Sequence, residues 1–285
     1  MPPARRNPQK VYREFYESYA YLRDRTVDPE FLKWFIGFTE GDGHFGISGN
    51  RLLFFLVQKD RKVLEFIQKN LGFGRIQRHN KIYHRYAVTD TRGLYLLAHL
   101  FNGNLLSFKG QWDFYDWVTH YNNLYGSGFK DNIDLQLSPR FPSSHLNWWH
   151  NMKASRPRRF FVGKQRPDLT ADGPSTFPFK LSTHTHQEDF GPWLSGFIDS
   201  EGGFENTGNR RFTIDQKWDK PLLETIRDFL GCGRVSRRKE REHMYRLVVT
   251  SGRQNVIEHC DKFPLRSIKS NDFIKWKETL ARLLT

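Results

Sequence analysis

One twelve-residue pattern occurs twice in this chain of 285 residues. The first copy spans residues 34–45 and reads WFIGFTEGDGHF; the second spans residues 193–204 and reads WLSGFIDSEGGF. Each copy starts with Trp and has Gly-Phe in its middle. Two acids separated by one small residue follow, and each copy closes with Gly-x-Phe. The last acids of the two copies are Asp42 and Glu201. This repeat indicates a duplicated domain, so two similar helices should each end in a carboxylate.

The same order of predicted elements follows each motif. The segments HFGIS and LLFFLVQ flank Gly49-Asn50 as one hairpin, and GFEN and RRFTIDQ flank residues 207–209 as the other. A helix comes next in each copy, with Asp60 or Asp219 as its N-cap and a Gly-x-Gly stop. A second hairpin and one further helix complete each module.

These elements predict an α+β fold. It is a pseudo-twofold duplication of an αββαββα module, with two antiparallel four-stranded sheets. We expect an N-terminal arm over residues 1–30, a first module over 31–125, a linker over 126–187 and a second module over 188–285. The linker is rich in Pro, Ser and basic residues. We expect a surface strap, and the alternative is additional phosphate contact through Arg156, Arg158 and Arg159.

The net charge of the chain limits the classes of partner that it can bind. Lys and Arg number 45 against 31 acids, which gives a net charge of +14 and a pI near 9.8. This balance favours a polyanionic partner, with nucleic acid as the first candidate. No run of about 18 apolar residues occurs, so we expect no membrane association. The two cysteines, Cys232 and Cys260, form no CxxC pair and are expected to be reduced.

The N-terminus bears on the compartment. The first ten residues, MPPARRNPQK, are basic but lack the apolar segment of a secretory signal. This composition argues against a signal peptide or a cleaved transit peptide. We expect an organellar protein, of the mitochondrion or the chloroplast, that is also encoded there.

Small residues in the motifs predict close helix packing. Gly37 and Gly41 are four residues apart on one helical face, and Gly196 and Ser200 repeat that spacing. A helical glycine costs about 1 kcal/mol, which is reasonable where two backbones nearly touch. The terminal acids would then converge, and two such carboxylates repel unless a cation lies beside them. Mg²⁺ is the natural ion for this oxygen site. The alternative is that each acid only caps the following turn.

The paired motifs and the repeated module resemble a single-chain LAGLIDADG homing endonuclease, with FIGFTEGDG and LSGFIDSEG as the two signatures. The resemblance covers both halves but neither the arm nor the linker. It implies a monomer whose two motif helices form the interface and a metal-dependent cleavage of both strands of a DNA duplex. Mg²⁺ is the implied cofactor, Mn²⁺ is expected to substitute, and Ca²⁺ is expected to support binding without efficient cleavage.

The resemblance also implies the catalytic residues. The last acid of each motif holds the metal, and the implied ligands are Asp42, Glu201, Gly41 and Ser200. A glutamine and a lysine from each half surround the metal, and by position these are Gln58, Gln216, Lys109 and Lys269. Glu40 and Asp199, the upstream acids, are not expected to be catalytic. The sequence contains no convincing Ser/His/Asp or Cys/His set, which agrees with metal-assisted hydrolysis.

In the family the two sheets form a saddle over the major groove of DNA, and strand alternation then predicts the exposed face. Phe45, Ile47, Ile76 and Val235 are expected to point inward. The residues expected to contact DNA are His44, Ser48, Asn50, Arg75, Gln77, His79, Arg85, Arg211, Thr213, Arg234, Ser236, Arg238 and Arg246. Leu53 and Phe55 fall on the same face, so they contact thymine methyls, pack on the arm, or indicate a register error of one residue. The alternative for the whole surface is an ordinary solvated sheet face.

Two other functions remain open at this point. Some relatives of this kind act as intron-splicing maturases, so intron RNA is a possible partner, and a third hypothesis is a nuclease-inactive DNA-binding protein. Loss of a motif acid would favour either one. Both acids are present, and the endonuclease is therefore preferred.

Overall fold

The computed structural model describes residues 12–125, 133, 187–238, 241 and 243–282. Most of the predicted linker lies outside these residues, and so do residues 1–11 of the predicted arm. The three linker arginines proposed for phosphate contact are likewise outside them. The boundaries of the four predicted segments remain predictions.

The first half of the described chain contains five helices and four strands. The helices are α1 (Arg13–Arg23), α2 (Pro29–Asp42), α3 (Arg61–Leu71), α4 (Thr91–Phe101) and α5 (Phe108–Tyr125). The strands are β1 (Gly43–Ser48), β2 (Arg51–Gln58), β3 (Arg75–Arg78) and β4 (His84–Val88).

The second half repeats this order from its motif helix onward. Its helices are α6 (Gln187–Glu201), α7 (Lys220–Leu230), α8 (Arg253–Lys262) and α9 (Lys269–Ala281). Its strands are β5 (Gly202–Phe204), β6 (Phe212–Lys217), β7 (Arg234–Arg237) and β8 (Met244–Val249).

The two halves share one sheet topology. The strand orders are β1-β2-β4-β3 and β5-β6-β8-β7, and every pairing is antiparallel. This repetition confirms the predicted α+β duplication. Each module nevertheless has two helices after its second hairpin, where one was predicted. In the first module Gly103, at φ 75°, turns the chain between α4 and α5, and that break was not recognised in the sequence.

Local signals account for the starts of the first helices. The side chain of Asp28 accepts a hydrogen bond from the backbone NH of Glu30, with Pro29 as the first residue of α2. Asp60 caps α3 in the same way, and Gly72 ends that helix in the left-handed region at φ 70°. The predicted cap Asp60 is thereby confirmed, and so is Asp219 before α7, whose side chain accepts a hydrogen bond of 3.0 Å from the backbone NH of Leu222.

Helices α2 and α6 pack with their backbones almost in contact. A Cβ atom on Gly37 would lie 1.9 Å from the carbonyl oxygen of Trp193, and one on Gly196 would lie 1.9 Å from that of Trp34. Near the helix ends, a Cβ on Gly41 would lie 2.1 Å from Oγ of Ser200. The predicted small-residue interface is confirmed, because no larger side chain fits at these positions.

The core of the first module is aromatic and lies under its sheet. Phe45, Phe54, Phe101 and Trp117 are buried, with ring centroids between 5.3 and 5.7 Å apart for the pairs that Phe45 makes. Ile47 was predicted to join this core, and that prediction is wrong, because 40% of its surface is exposed. Ile47 lies on β1, an edge strand, beside the hairpin turn, so a neighbouring strand covers it on one side only; its partner Leu52, on the inner strand β2, is buried.

Part of the predicted arm folds onto this module. Helix α1 buries Phe15 and Tyr19, and the hydroxyl of Tyr19 donates a hydrogen bond of 2.8 Å to the carbonyl oxygen of Leu71 at the end of α3. Residues 13–23 therefore contribute to the first core. Over the part of the chain that the structure describes, no helix is long and apolar enough to cross a bilayer.

Candidate active site

The two terminal motif acids lie together at the ends of the paired helices. Asp42 is the last residue of α2 and Glu201 is the last residue of α6. A Cβ atom on Gly41 would lie 2.9 Å from Cγ of Glu201, so the absence of a side chain there lets Glu201 approach. The predicted convergence of the helix ends is confirmed, while the roles of the acids remain predictions.

The environment of these carboxyls favours their neutral forms. Burial raises the pKa of Asp42, and the hydrogen bond of 2.7 Å from Nε2 of Gln58 to its Oδ2 opposes that shift. Burial is the largest cause and the neighbouring charge of Asp42 the second that raise the pKa of Glu201, to about 7. Two lysines and a hydrogen bond with Gln216 oppose this shift. Both predicted glutamines therefore contact the acid of their own module.

The two predicted lysines are held differently. The ammonium of Lys269 donates hydrogen bonds to the carbonyl oxygens of Ser200, at 2.6 Å, and Ile198, at 3.4 Å. Burial lowers the pKa of Lys269, and the charges of the two acids oppose that shift. Lys109 is more exposed, at 46% of its side chain, and its Nζ lies 3.4 Å from Oδ2 of Asp113. The repeat in sequence is thus not an exact repeat in geometry.

The donor set at this site suits a hard cation. It offers the carboxylates of Asp42 and Glu201. The backbone oxygens of Gly41 and Ser200 remain predicted ligands, and that of Ser200 accepts the hydrogen bond of 2.6 Å from Lys269. Among the described residues, no three or more His, Cys, Asp or Glu side chains are grouped so that they could hold a metal ion. A pair of buried like charges favours a bound cation. Mg²⁺ is commonly held by one or two carboxylates, with water and phosphate completing its shell, and the residues present fit that pattern.

The upstream acid of each motif makes a bond to the opposite motif helix. Nε1 of Trp193 donates to Oε1 of Glu40 at 2.8 Å, and Nε1 of Trp34 donates to Oδ2 of Asp199 at 2.9 Å. All four side chains are buried. These reciprocal bonds were not predicted, although the sequence carries their signal: in both copies Trp stands six residues before the acid.

The same acids also fix the segments that carry the lysines. Glu40 accepts hydrogen bonds from the backbone NH groups of Leu106 and Ser107, before α5. Asp199 accepts them from the backbone NH groups of Arg266, at 2.7 Å, and Ser267, at 3.1 Å, before α9. Their carboxylates are fully engaged in the scaffold, which agrees with the expectation that these two acids are not catalytic.

The outer face of the first sheet carries an aromatic and basic row. Arg75 and Gln77 are exposed on β3, as predicted. The guanidinium of Arg85 lies 4.6 Å from the ring centroid of Phe55, and the His44 ring centroid lies 4.6 Å from the same ring. Leu53 and Phe55 are partly exposed between buried neighbours, so the predicted register of β2 is confirmed and the alternative of a one-residue error is excluded.

Two predicted contact residues of this half, Asn50 and His79, lie outside the strands, and a third, Ser48, is the last paired residue of β1, opposite Arg51. Asn50 occupies the turn between β1 and β2, so the strand alternation used to predict its direction does not apply there. Ser48 is exposed at the end of β1. His79 follows β3 and its backbone NH donates to the carbonyl oxygen of Tyr83 at 2.9 Å.

The outer face of the second sheet is more ionic. Arg234 and Ser236 lie on β7, and Thr213 lies on β6. Arg211 precedes β6 and forms an ion pair of 2.7 Å with Glu205. The two remaining predicted residues, Arg238 and Arg246, both contact Asp215. Asp215 was not predicted; it stands directly before the predicted catalytic glutamine, Gln216.

Comparison with known proteins agrees with this architecture. The chain is 27% identical over 262 residues to a Neurospora crassa protein named "Probable intron-encoded endonuclease 4", a match that covers 86% of this chain and 39% of the relative. It is 26% identical over 309 residues to the Schizosaccharomyces pombe protein "Probable intron-encoded endonuclease Cox1-I1b", covering 95% of this chain and 71% of that protein. The chain thus spans well under half the length of the Neurospora relative.

A solved structure shares the fold. The LAGLIDADG meganuclease I-AabMI, bound to uncleaved DNA, superposes with a TM-score of 0.59 at 21% identity, covering 90% of this chain and 92% of that one. The model of the LAGLIDADG endonuclease family matches twice, over residues 35–121 and 194–280. Each match begins within a motif helix and runs into the last helix of its module, so the chain belongs to the LAGLIDADG endonuclease family.

Proposed function

We propose that the chain is a site-specific, metal-dependent endonuclease that cuts both strands of a long, asymmetric DNA duplex. The observation that carries this proposal is the convergence of Asp42 and Glu201 at the ends of α2 and α6, each contacted by the glutamine of its own module. Membership of an endonuclease family supports the same reaction.

Each residue of the site has a separate role in the proposed phosphodiester hydrolysis. Asp42 and Glu201 would hold the metal, with backbone oxygens of Gly41 and Ser200 beside them. A bound Mg²⁺ supplies charge neutralisation at the phosphate and a more acidic water. Gln58 and Gln216 hold the carboxyls in orientation through their hydrogen bonds.

The lysines contribute positive charge next to the acids. Lys269 is partly buried and anchored on the carbonyl oxygens of α6, so its ammonium is fixed without the cost of ordering it during the reaction. Lys109 contributes to the field at both acids from the first module. Such a fixed charge would stabilise the negative charge that develops on the phosphate.

The sheet faces supply the proposed DNA contact. Arginine side chains lie on the outer faces of both sheets and Gln77 lies on that of the first, and these groups match guanine and adenine edges in the major groove. The net charge of +14 supports attraction to phosphate. The DNA bound to I-AabMI supports the same partner class for this fold.

The remaining expectations follow from the duplication and the relatives. Two motif helices in one chain replace the subunits of a dimer, so we propose a monomer. The relatives carry the names of intron-encoded endonucleases, which supports an organellar, intron-encoded origin. We propose Mg²⁺ as the cofactor, with Mn²⁺ substituting and Ca²⁺ allowing binding without efficient cleavage.

A cleavage selection tests this function. The purified chain is incubated with a randomised duplex library and Mg²⁺, and the cut ends are sequenced. A single enriched asymmetric site with both strands cut is the expected result. The matched control is the double variant Asp42→Asn, Glu201→Gln. The proposal fails if the wild type yields no enriched ends, or if this variant yields the same ends.

A further inference from the structure

An acid stands among the arginines on the outer face of the second sheet. Asp215 on β6 pairs across with Arg246 on β8, and Arg246 pairs across with Ser236 on β7. Nearby, Arg238 follows the end of β7. Asp215, Arg246 and Ser236 form one row of the surface proposed above to contact DNA, and Arg238 lies beside that row. An unpaired carboxylate there would repel phosphate.

The carboxylate is saturated by arginine. Nε of Arg246 donates to Oδ1 of Asp215 at 2.6 Å, and Nη2 of Arg246 donates to its Oδ2 at 2.5 Å. Nη1 of Arg238 donates to the same Oδ2 at 3.0 Å. This is a two-bond fork to one guanidinium and a third bond to another, so Asp215 fixes the plane of Arg246 and the position of Arg238.

The first module has an equivalent arginine with a different support. Val57 pairs across with Arg85, and Arg85 pairs across with Gln77, which repeats the row formed by Asp215, Arg246 and Ser236. Here the guanidinium lies over the ring of Phe55 at 4.6 Å. The two halves therefore present an arginine at the same sheet position, one oriented by an aromatic ring and one by a carboxylate.

Orientation matters more than charge for reading a base. Arginine recognises guanine by two parallel hydrogen bonds to O6 and N7, which requires a guanidinium of fixed plane. Binding to phosphate requires only positive charge, and Asp215 lowers the formal charge of the cluster from +2 to +1. An acid at this place therefore weakens general attraction to DNA while it restricts the arginines to one arrangement.

We propose that Asp215 is a specificity-determining positioning residue, which holds Arg246 and Arg238 for recognition of guanine by the second module. The inference rests on the proposed DNA endonuclease function and deepens it. Because Val57 replaces the acid in the first module, the two halves orient the equivalent arginine in different ways, by the ring of Phe55 in one and by Asp215 in the other. An ion pair with a purely structural role is the competing explanation.

The cleavage selection also tests this proposal, because it reports the base preference at each position of the cut site. Asp215→Asn keeps the shape of the side chain but removes the negative charge that binds both arginines. We expect guanine preference to fall about tenfold at the positions that also respond to Arg246→Ala, a typical value for one bidentate contact. Preferences elsewhere should stay unchanged, and Arg85→Ala should alter positions only in the other half-site.

Two further variants make the outcome decisive. Asp228→Asn is the matched control, because Asp228 also pairs with an arginine, Arg227, but lies on α7 away from the sheet face; its base preferences should equal those of the wild type. Arg246→Lys keeps the charge and loses the fork, so it should reproduce the loss caused by Asp215→Asn. It also carries the test if circular dichroism shows that Asp215→Asn does not fold.

The results separate the two proposals. If the wild type cuts a defined site but Asp215→Asn or Arg246→Lys keeps every base preference, the positioning role is wrong and the endonuclease function stands. A loss of cutting that is uniform over all positions would mean a structural ion pair and would also overturn the inference. If the wild type cuts no duplex, both proposals fall together.

Discussion

Nε1 of Trp34 donates a hydrogen bond of 2.9 Å to Oδ2 of Asp199 across the interface between the two modules. The equivalent bond runs in the opposite direction from Trp193 to Glu40. Each acid accepts further hydrogen bonds from the segment that leads to the last helix of its own module. One side chain therefore links the helix interface to the segment that positions a lysine of the candidate site.

Removing one indole donor should destabilise the protein. In Trp34→Phe the ring can stay in its place, but Asp199 loses one hydrogen bond in a buried site, which costs about 1–3 kcal/mol. We expect the midpoint of urea unfolding to fall accordingly. A double-mutant cycle with Asp199→Asn is the control, because the coupling between the two changes isolates this bond. Additive effects would show that the hydrogen bond contributes little.

The glycine contact predicts a stronger effect from a single larger side chain. Gly37→Leu must place atoms where the carbonyl oxygen of Trp193 already lies, so the helices have to separate. We expect the variant to be unfolded or to have lost the contact between its halves, as measured by circular dichroism and limited proteolysis. Gly203→Ala is the control, since a Cβ there meets only Thr213, with Oγ1 at 3.1 Å and the carbonyl oxygen at 3.9 Å. A cooperative wild-type melt for Gly37→Leu would contradict the packing.

A buried histidine predicts how stability depends on pH. Burial lowers the pKa of His259 to about 4, with a smaller contribution from Lys262, and Nε2 lies 3.3 Å from Oγ of Ser195. In the unfolded chain imidazole titrates at about 6.5. Between these values only the unfolded chain takes up the proton, so stability falls as the pH falls through this window, by up to about 1.4 kcal/mol per pH unit.

His259→Gln measures this contribution. Free energies of unfolding are determined by urea denaturation at several values between pH 4.5 and pH 7 for both proteins. The variant should show a shallower loss of stability on acidification, because glutamine does not titrate. Identical slopes would mean that His259 takes up its proton in the folded state over the same range. The cavity next to His259 is also lined by other charged groups, namely Glu30, Lys33, Glu258 and Lys262. Both proteins contain these groups, so their contribution cancels when the two slopes of unfolding free energy against pH are compared.

The two lysines should respond unequally to removal. Lys269→Met leaves the carbonyl oxygen of Ser200 without its 2.6 Å donor and removes a buried charge beside both acids. Lys109→Met removes a more exposed ammonium that pairs with Asp113. We expect Lys269→Met to lower stability as well as cleavage, and Lys109→Met to lower cleavage alone. Stability is measured by thermal unfolding and cleavage by single-turnover kinetics. Equal changes in melting temperature for the two variants would contradict the expected difference between the lysines.

Sequence patterns predicted the parts of the fold that local chemistry determines. Glycines four residues apart in a helix have no local benefit, so Gly37 and Gly41, with the matching Gly196 and Ser200, indicated the close contact between the motif helices. The continuous apolar run of β2 left its register open, and the burial pattern of the strand resolves it, with Leu53 and Phe55 facing outward. The patterns failed where the position of a strand in the sheet decides the outcome: Ile47 lies on an edge strand, and no local signal reveals which strand is at the edge.

The candidate site was predictable to a similar degree. The terminal acids and their glutamines repeat in sequence, and the structure brings each glutamine to its acid. The difference between the lysines was not predictable, because it depends on which carbonyl oxygens lie within reach. Asp215 has no counterpart in the first module, where Val57 takes its place, so a search for repeated residues could not identify it.

The strongest prediction concerns the two terminal acids. Asp42→Asn and Glu201→Gln each remove a carboxylate that is proposed to hold metal, and neither changes the size of the side chain appreciably. We expect both variants to fold and to bind the target duplex at least as well as the wild type, because each change removes a negative charge close to phosphate. A supercoiled plasmid carrying the selected site reports nicked and linear products separately.

Linear product at the wild-type rate is not compatible with the loss of either acid. A single variant should nick one strand or stop altogether, depending on how far the two carboxylates share the metal, and the double variant should do neither. Replacing Mg²⁺ with Ca²⁺ should leave wild-type binding intact and slow its cleavage, which separates the two steps. Wild-type cutting by one variant would remove that acid from the mechanism, and unchanged cutting by the double variant would exclude metal-dependent hydrolysis at this site.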